Sequence, residues 1–152
     1  MSASETYHPL LALDDWPVVI ALVPPIGSPE RITRHLSALE RLIADGRPFV
    51  LVMTHDGPSG EEPPADQAER AIWYKARLDS LAGLCRAIIQ IETDATRRTS
   101  IGQRIEALAA AFPIPMRVAA DMDEARRVAA AFMPSPPRQP SAVSTSPATS
   151  RM

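Results

Sequence analysis

Two rhythms take turns along residues 7–133: short apolar runs, and longer stretches in which apolar residues recur every three or four positions. The first run, residues 7–13, predicts a short strand closed by a turn at Asp14-Asp15. A firmer run over 17–23 ends at Pro24-Pro25-Ile26-Gly27. Ser28, Pro29 and Glu30 then carry the marks of a helix start: a hydroxyl cap, a proline at the first helical position and a carboxylate in the first turn. Ile32, Leu36, Leu39 and Ile43 form its buried stripe, and Asp45-Gly46 stops it. The strongest apolar run, Phe49-Val50-Leu51-Val52-Met53, opens into a long polar loop from Thr54 to Pro64. A helix over about 65–85 follows.

The rhythm then repeats. A strand is predicted over 86–92. Ser100 and Gln103 have capping-box spacing ahead of a stripe of Ile101, Ile105, Leu108 and Phe112. Residues 115–119 read as the last strand, and Asp121 with Glu124 opens a last helix with Ala125, Val128, Ala129 and Phe132 inward. The predicted order is ββαβαβαβα. It implies an α/β fold with four helices and a mixed, mostly parallel sheet of about five strands, the first antiparallel at or near an edge.

Composition adds limits. At 152 residues the chain fits one domain over 7–133, after a flexible stretch over 1–6. Lys+Arg 16 against Asp+Glu 18 gives no electrostatic footprint for nucleic acid. A single cysteine, Cys85, leaves no disulfide and no thiol set for a metal. No signal-peptide pattern opens the chain and 17–26 is too short to span a bilayer, so a soluble cytoplasmic domain without a membrane span is expected. Residues 134–152 are dominated by proline, serine, threonine and alanine, and read as a disordered tail that is either inert or a docking peptide.

The order and lengths resemble the STAS fold, the family of bacterial anti-sigma-factor antagonists (SpoIIAA-like proteins) and of the cytoplasmic domains of sulfate transporters. The resemblance extends to small uncharacterised STAS-like proteins through Asp15-Trp16-Pro17 before the first long strand, Trp73 in the second helix and Asp123-Glu124-Ala125 opening the last. It implies a regulatory module without a cofactor. It also implies a phosphorylated serine at the start of the second helix, for which Ser59 in Asp56-Gly57-Pro58-Ser59-Gly60 is the candidate. Here Glu61-Glu62-Pro63-Pro64 separates Ser59 from the helix, so a phosphate there would meet two carboxylates rather than free N–H groups. An ordinary solvated turn is the competing reading.

Three further sets of residues carry chemistry. His55, Asp56 and Ser59 could serve a small hydrolase as base, orienter and nucleophile, but neighbours leaving a strand face opposite sides. Arg98, Thr99 and Ser100, just ahead of the predicted helix start, suit an anion or a ligand; a solvated basic turn is the alternative. His8 and His35 are too scattered for a metal site. On the helix over 65–85, Tyr74, Leu78, Leu81 and Cys85 share the inward stripe, which leaves Ile72 and Ala76 outward with Trp73 on the flank. That surface suits a protein contact, with another protein or a second copy of the chain; a kink or a later helix start would rephase it. The functional expectation is a non-catalytic regulatory or protein-binding module. A small-molecule or lipid-binding domain, with Trp73 and Arg98 lining a pocket between sheet and helices, is the runner-up.

Overall fold

A computed structural model of the chain describes residues 8–55 and 62–133. The elements are β1 (Leu11–Ala12), β2 (Val18–Val23), α1 (Arg31–Asp45), β3 (Phe49–His55), α2 (Pro64–Leu84), β4 (Cys85–Ile91), α3 (Ala95–Leu108), β5 (Met116–Ala119) and α4 (Met122–Ala130). The fold is α/β, with four helices and a five-stranded mixed sheet, in the predicted order. Strands neighbour one another in chain order, β1-β2-β3-β4-β5. The β1–β2 pair is antiparallel and the other three pairs are parallel. A sheet that grows in one direction lacks the reversal of strand order that opens a nucleotide crevice in doubly wound folds.

Alternation along the strands divides the core in two. Val19, Ala21, Phe49, Leu51, Cys85 and Ile88 face α1 and α2, where they meet Ile32, Leu36, Leu39, Leu42 and Leu81. Helix α3 lies on the same side beside β5. Val18, Val50, Val52, Ala87, Ile89 and Ala119 face the other way, and Ala125 and Ala129 of α4 close over them. Those two small residues let α4 sit near the sheet. Among the described residues no helix is long and apolar enough to cross a membrane.

Helix ends account for most departures from the sequence reading. Helix α1 begins at Arg31, not at Ser28-Pro29-Glu30. The Ser28 hydroxyl donates to the Pro25 carbonyl in the preceding turn, and the N-cap position falls to Glu30, whose side chain makes no capping bond. Glu30 adopts left-handed backbone (φ 54°) and turns the chain into the helix. Helix α3 begins at Ala95 because the Asp94 side chain accepts from the Arg97 N–H at 2.8 Å, so Ser100 lies inside the helix and caps nothing. The same helix stops at Leu108, which is 46 % exposed, against the expected inward stripe. The buried Ile114 fills the space on the core side instead. Cys85 is buried as expected, but it is the first residue of β4 rather than the end of α2.

Two ends follow expectation. Asp121 accepts from the Glu124 N–H at 2.8 Å while the Glu124 carboxylate reaches back to the Ala120 N–H at 2.7 Å. Gly46 ends α1 at φ 79°, and a Cβ there would meet nothing within 4 Å. The cost of Gly46→Ala is therefore conformational alone: a loss of about 1 kcal/mol is expected in the denaturation midpoint, with an unchanged slope.

Candidate functional site

The parallel strands β2, β3 and β4 all end at one rim of the sheet, and polar residues collect there on the α1–α2 face. Val23 pairs with His55, and extending the Met53–Gln90 register by two residues sets Glu92 beside His55. Glu92 is 4 % exposed, its N–H donates to the Ala119 carbonyl at 2.8 Å and its Oε2 accepts from the Asp94 N–H at 3.0 Å. Helix α1 adds Arg31 and His35, one turn apart on its inward face and both buried. The segment entering α2 adds Glu62, and the first turns of α2 add Asp66 and Arg70.

Ion pairs tie these segments together. Arg31 donates through Nε to the Pro24 carbonyl at 2.9 Å, and through Nη1 to Glu62 at 2.7 Å and Asp66 at 3.3 Å. Arg70 donates to the other oxygen of the same Glu62 carboxylate. Burial pushes that carboxyl up, but the hydrogen bonds and charges of Arg70 and Arg31 outweigh it and hold it below its ordinary value. One carboxylate thus bridges two guanidiniums, and α1 is clamped to the start of α2.

The two histidines are spent differently. Burial, reinforced by the Arg70 and Arg31 charges, lowers His35 to about 4 despite Glu62, so its ring is neutral at pH 7. His55 is also lowered, by burial first, with Glu92 and Glu62 raising it and Arg31 lowering it. His35 Nδ1 and His55 Nε2 are both buried with no hydrogen-bond partner among the described residues. No group of three or more His, Cys, Asp or Glu among the described residues could hold a metal ion.

Of the candidate site residues named from the sequence, His55 belongs to this cluster, and it is joined by His35, which the sequence placed mid-helix without a metal role. Asp56 and Ser59 lie outside the described residues, as do the stretch 1–6 and the tail 134–152. Arg98, Thr99 and Ser100 do not stand ahead of a helix start; they occupy the second turn of α3. Arg98 donates to the Glu92 and Thr93 carbonyls at 2.9 and 3.0 Å, and Thr99 donates back to the Ala95 carbonyl at 3.2 Å. Arg98 therefore pins α3 to the end of β4. Trp73 is half-buried: its indole N–H donates to Glu40 of α1 at 2.8 Å and its ring packs edge-on against Tyr74. It is a strut between α1 and α2, whereas the contacts of Arg98 are with the end of β4.

An open cleft of about 340 Å³ lies between α3 and β5, lined by Gly102, Ile105, Glu106, Met116, Arg117 and Val118. The cysteine is no nucleophile: burial raises the Cys85 thiol to about 12, and it donates to the Ala87 carbonyl at 3.3 Å. Ile72 is 71 % exposed and Ala76 is exposed beside it. No family model matches the chain, nor does any curated protein or solved structure.

Proposed function

We propose that the chain is a non-catalytic regulatory module of STAS-like fold, acting in the cytoplasm by protein–protein contact through the outer face of α2. The observation that carries this reading is Ile72, 71 % exposed at the middle of a 21-residue helix. Its neighbours on that face, Ala65, Ala68 and Ala76, are exposed too, so a partner can approach α2 closely around one large apolar side chain. The sequential strand order supports the family half of the reading, because it separates this sheet from a flavodoxin-like one. The polar rim fits a non-catalytic reading, because Arg31, Glu62, Asp66 and Arg70 are engaged in ion pairs with one another.

The test is a change at Ile72 rather than at Trp73, whose loss would loosen the α1–α2 contact. Ile72→Glu is expected to abolish one-to-one co-purification of a protein partner while shifting stability by no more than about 0.5 kcal/mol. Retention of the partner at full stoichiometry sinks the reading. A small molecule or lipid carried through purification and seen by native mass spectrometry would favour the ligand-binding alternative.

A further inference from the structure

Glu62 occupies a point on which two guanidiniums converge. Its two oxygens take one guanidinium each, Oε2 from Arg31 and Oε1 from Arg70. Two forks converging on one anion is the arrangement by which proteins hold phosphate oxygens. The place lies beyond the carboxyl ends of the parallel strands β2, β3 and β4, where the chain leaves the sheet for its helices. We infer that Arg31 and Arg70 form an oxyanion site for phosphate, free or as the phosphoryl group of a small monoester, and that Glu62 holds this site closed.

Three features of the rim support the exchange. The Glu62 carboxylate is not the cap of α2: Pro63 is the N-cap residue, with no side-chain capping bond. The backbone of Glu62 is held separately, its carbonyl accepting from Gln67 Nε2 at 2.9 Å. The side chain can swing out while the helix start stays in place. Second, Arg31 is 7 % exposed and would keep only the longer 3.3 Å pair with Asp66 once Glu62 leaves, which favours a small anion in the vacated place.

Third, a tetrahedral ion presents more oxygens than a carboxylate, and an unpartnered polar side chain lies within electrostatic reach of Glu62 and both arginines. His35 stands one helical turn from Arg31 on the same inward face, 3 % exposed, and its Nδ1 has no partner among the described residues. As a neutral ring it can turn an N–H towards an anion. Arg31 and Arg70 are balanced by Glu62 and Asp66, and the buried Glu92 beyond them adds a negative charge that a bound anion must overcome. A phosphate dianion brings more charge than the departing carboxylate, whereas Glu62 competes through its high local concentration. This site is distinct from the Ile72 surface, and neither proposal depends on the other.

Inorganic phosphate titrated into the full chain at fixed ionic strength, with chloride as the control, tests the inference. Glu62→Ala is expected to bind phosphate about tenfold more tightly than wild type, the scale of one charge-assisted hydrogen bond regained. Adding Arg70→Ala to Glu62→Ala should return binding to the chloride background. No gain in Glu62→Ala, or a gain that survives Arg70→Ala, overturns the site. If Glu62→Ala fails to fold alone, phosphate but not chloride should restore its circular dichroism; failure to do so overturns the site. A safer measurement uses wild type, where broadening of the phosphorus NMR line should vanish in Arg70→Ala; equal or absent broadening in both proteins counts against it. Glycerol 3-phosphate in a parallel titration distinguishes the sources: tighter binding than inorganic phosphate identifies a monoester, and weaker binding the free ion.

Discussion

Arg31→Met is expected to destabilise the chain by about 3 kcal/mol, among the largest effects available to a single charged residue here. The guanidinium is 7 % exposed and serves three acceptors from different segments: the Pro24 carbonyl after β2, Glu62 before α2 and Asp66 in its first turn. Methionine restores the apolar volume of the stem but none of the donors. Glu62, 13 % exposed, keeps only Arg70, and the Pro24 carbonyl loses the Arg31 donor. The expected loss sits at the lower end of the range for broken buried pairs because Arg70 still neutralises Glu62. Arg126→Ala is the matching control, since its pair with Asp15 is nearly half-exposed on both sides and should contribute less than about 1 kcal/mol. Urea denaturation of the two variants checks the difference. Equal midpoints would mean that solvent screens the Arg31 cluster as it screens the surface pair.

That cluster was largely invisible in the sequence, and the reason is geometric. Its members come from α1, the end of β3, the entry to α2 and the end of β4, four separate segments spread over residues 31–92. No local spacing links them. Two signals were nonetheless present. Arg31 and His35 fall in phase with Ile32, Leu39 and Leu42 on the inward face of α1, and polar residues inside an apolar stripe need partners. Glu92 continues the inward alternation of Ile88 and Gln90 along β4, which places a carboxylate on the core side. His55 was legible because a strand end was obvious; what it would meet there was not.

The strands were easier. Val18–Val23 and Phe49–His55 are runs that only a sheet buried on both faces accommodates, and the parallel order follows from the helices between them. Helix starts were harder because capping signals are plentiful. Between Thr93 and Ser100 five residues, Thr93, Asp94, Thr96, Thr99 and Ser100, have side chains able to cap, and only tertiary contacts select Asp94. Helix α2 shows weak amphipathicity, since alanines populate both its faces, so the sequence could place Ile72 outward only by assuming where the helix begins.

Acid should unfold this chain earlier than its carboxylates alone require, and His35 is the reason. Its ring ionises at about 4 in the folded chain against the ordinary 6.5, because burial and the two guanidiniums oppose the charged form. Between those values the unfolded chain binds a proton that the folded chain refuses. Stability is therefore complete above pH 6.5 and falls as pH drops towards 4. A shift of this size corresponds to about 3 kcal/mol by pH 4, with about 2 kcal/mol already lost between pH 7 and pH 5. His55 and His8 are lowered too and add to the same trend, and Glu62, held low by its arginines, adds only once pH falls below its ordinary 4.5. His35→Leu isolates the buried ring. It removes a buried polar atom that has no partner among the described residues, so stability at pH 7 should stay level or rise. The loss between pH 7 and pH 5 should shrink by about 2 kcal/mol. Denaturation midpoints measured at both pH values decide the matter: parallel pH profiles for wild type and His35→Leu would mean that the folded chain accepts the proton on His35 as readily as water does.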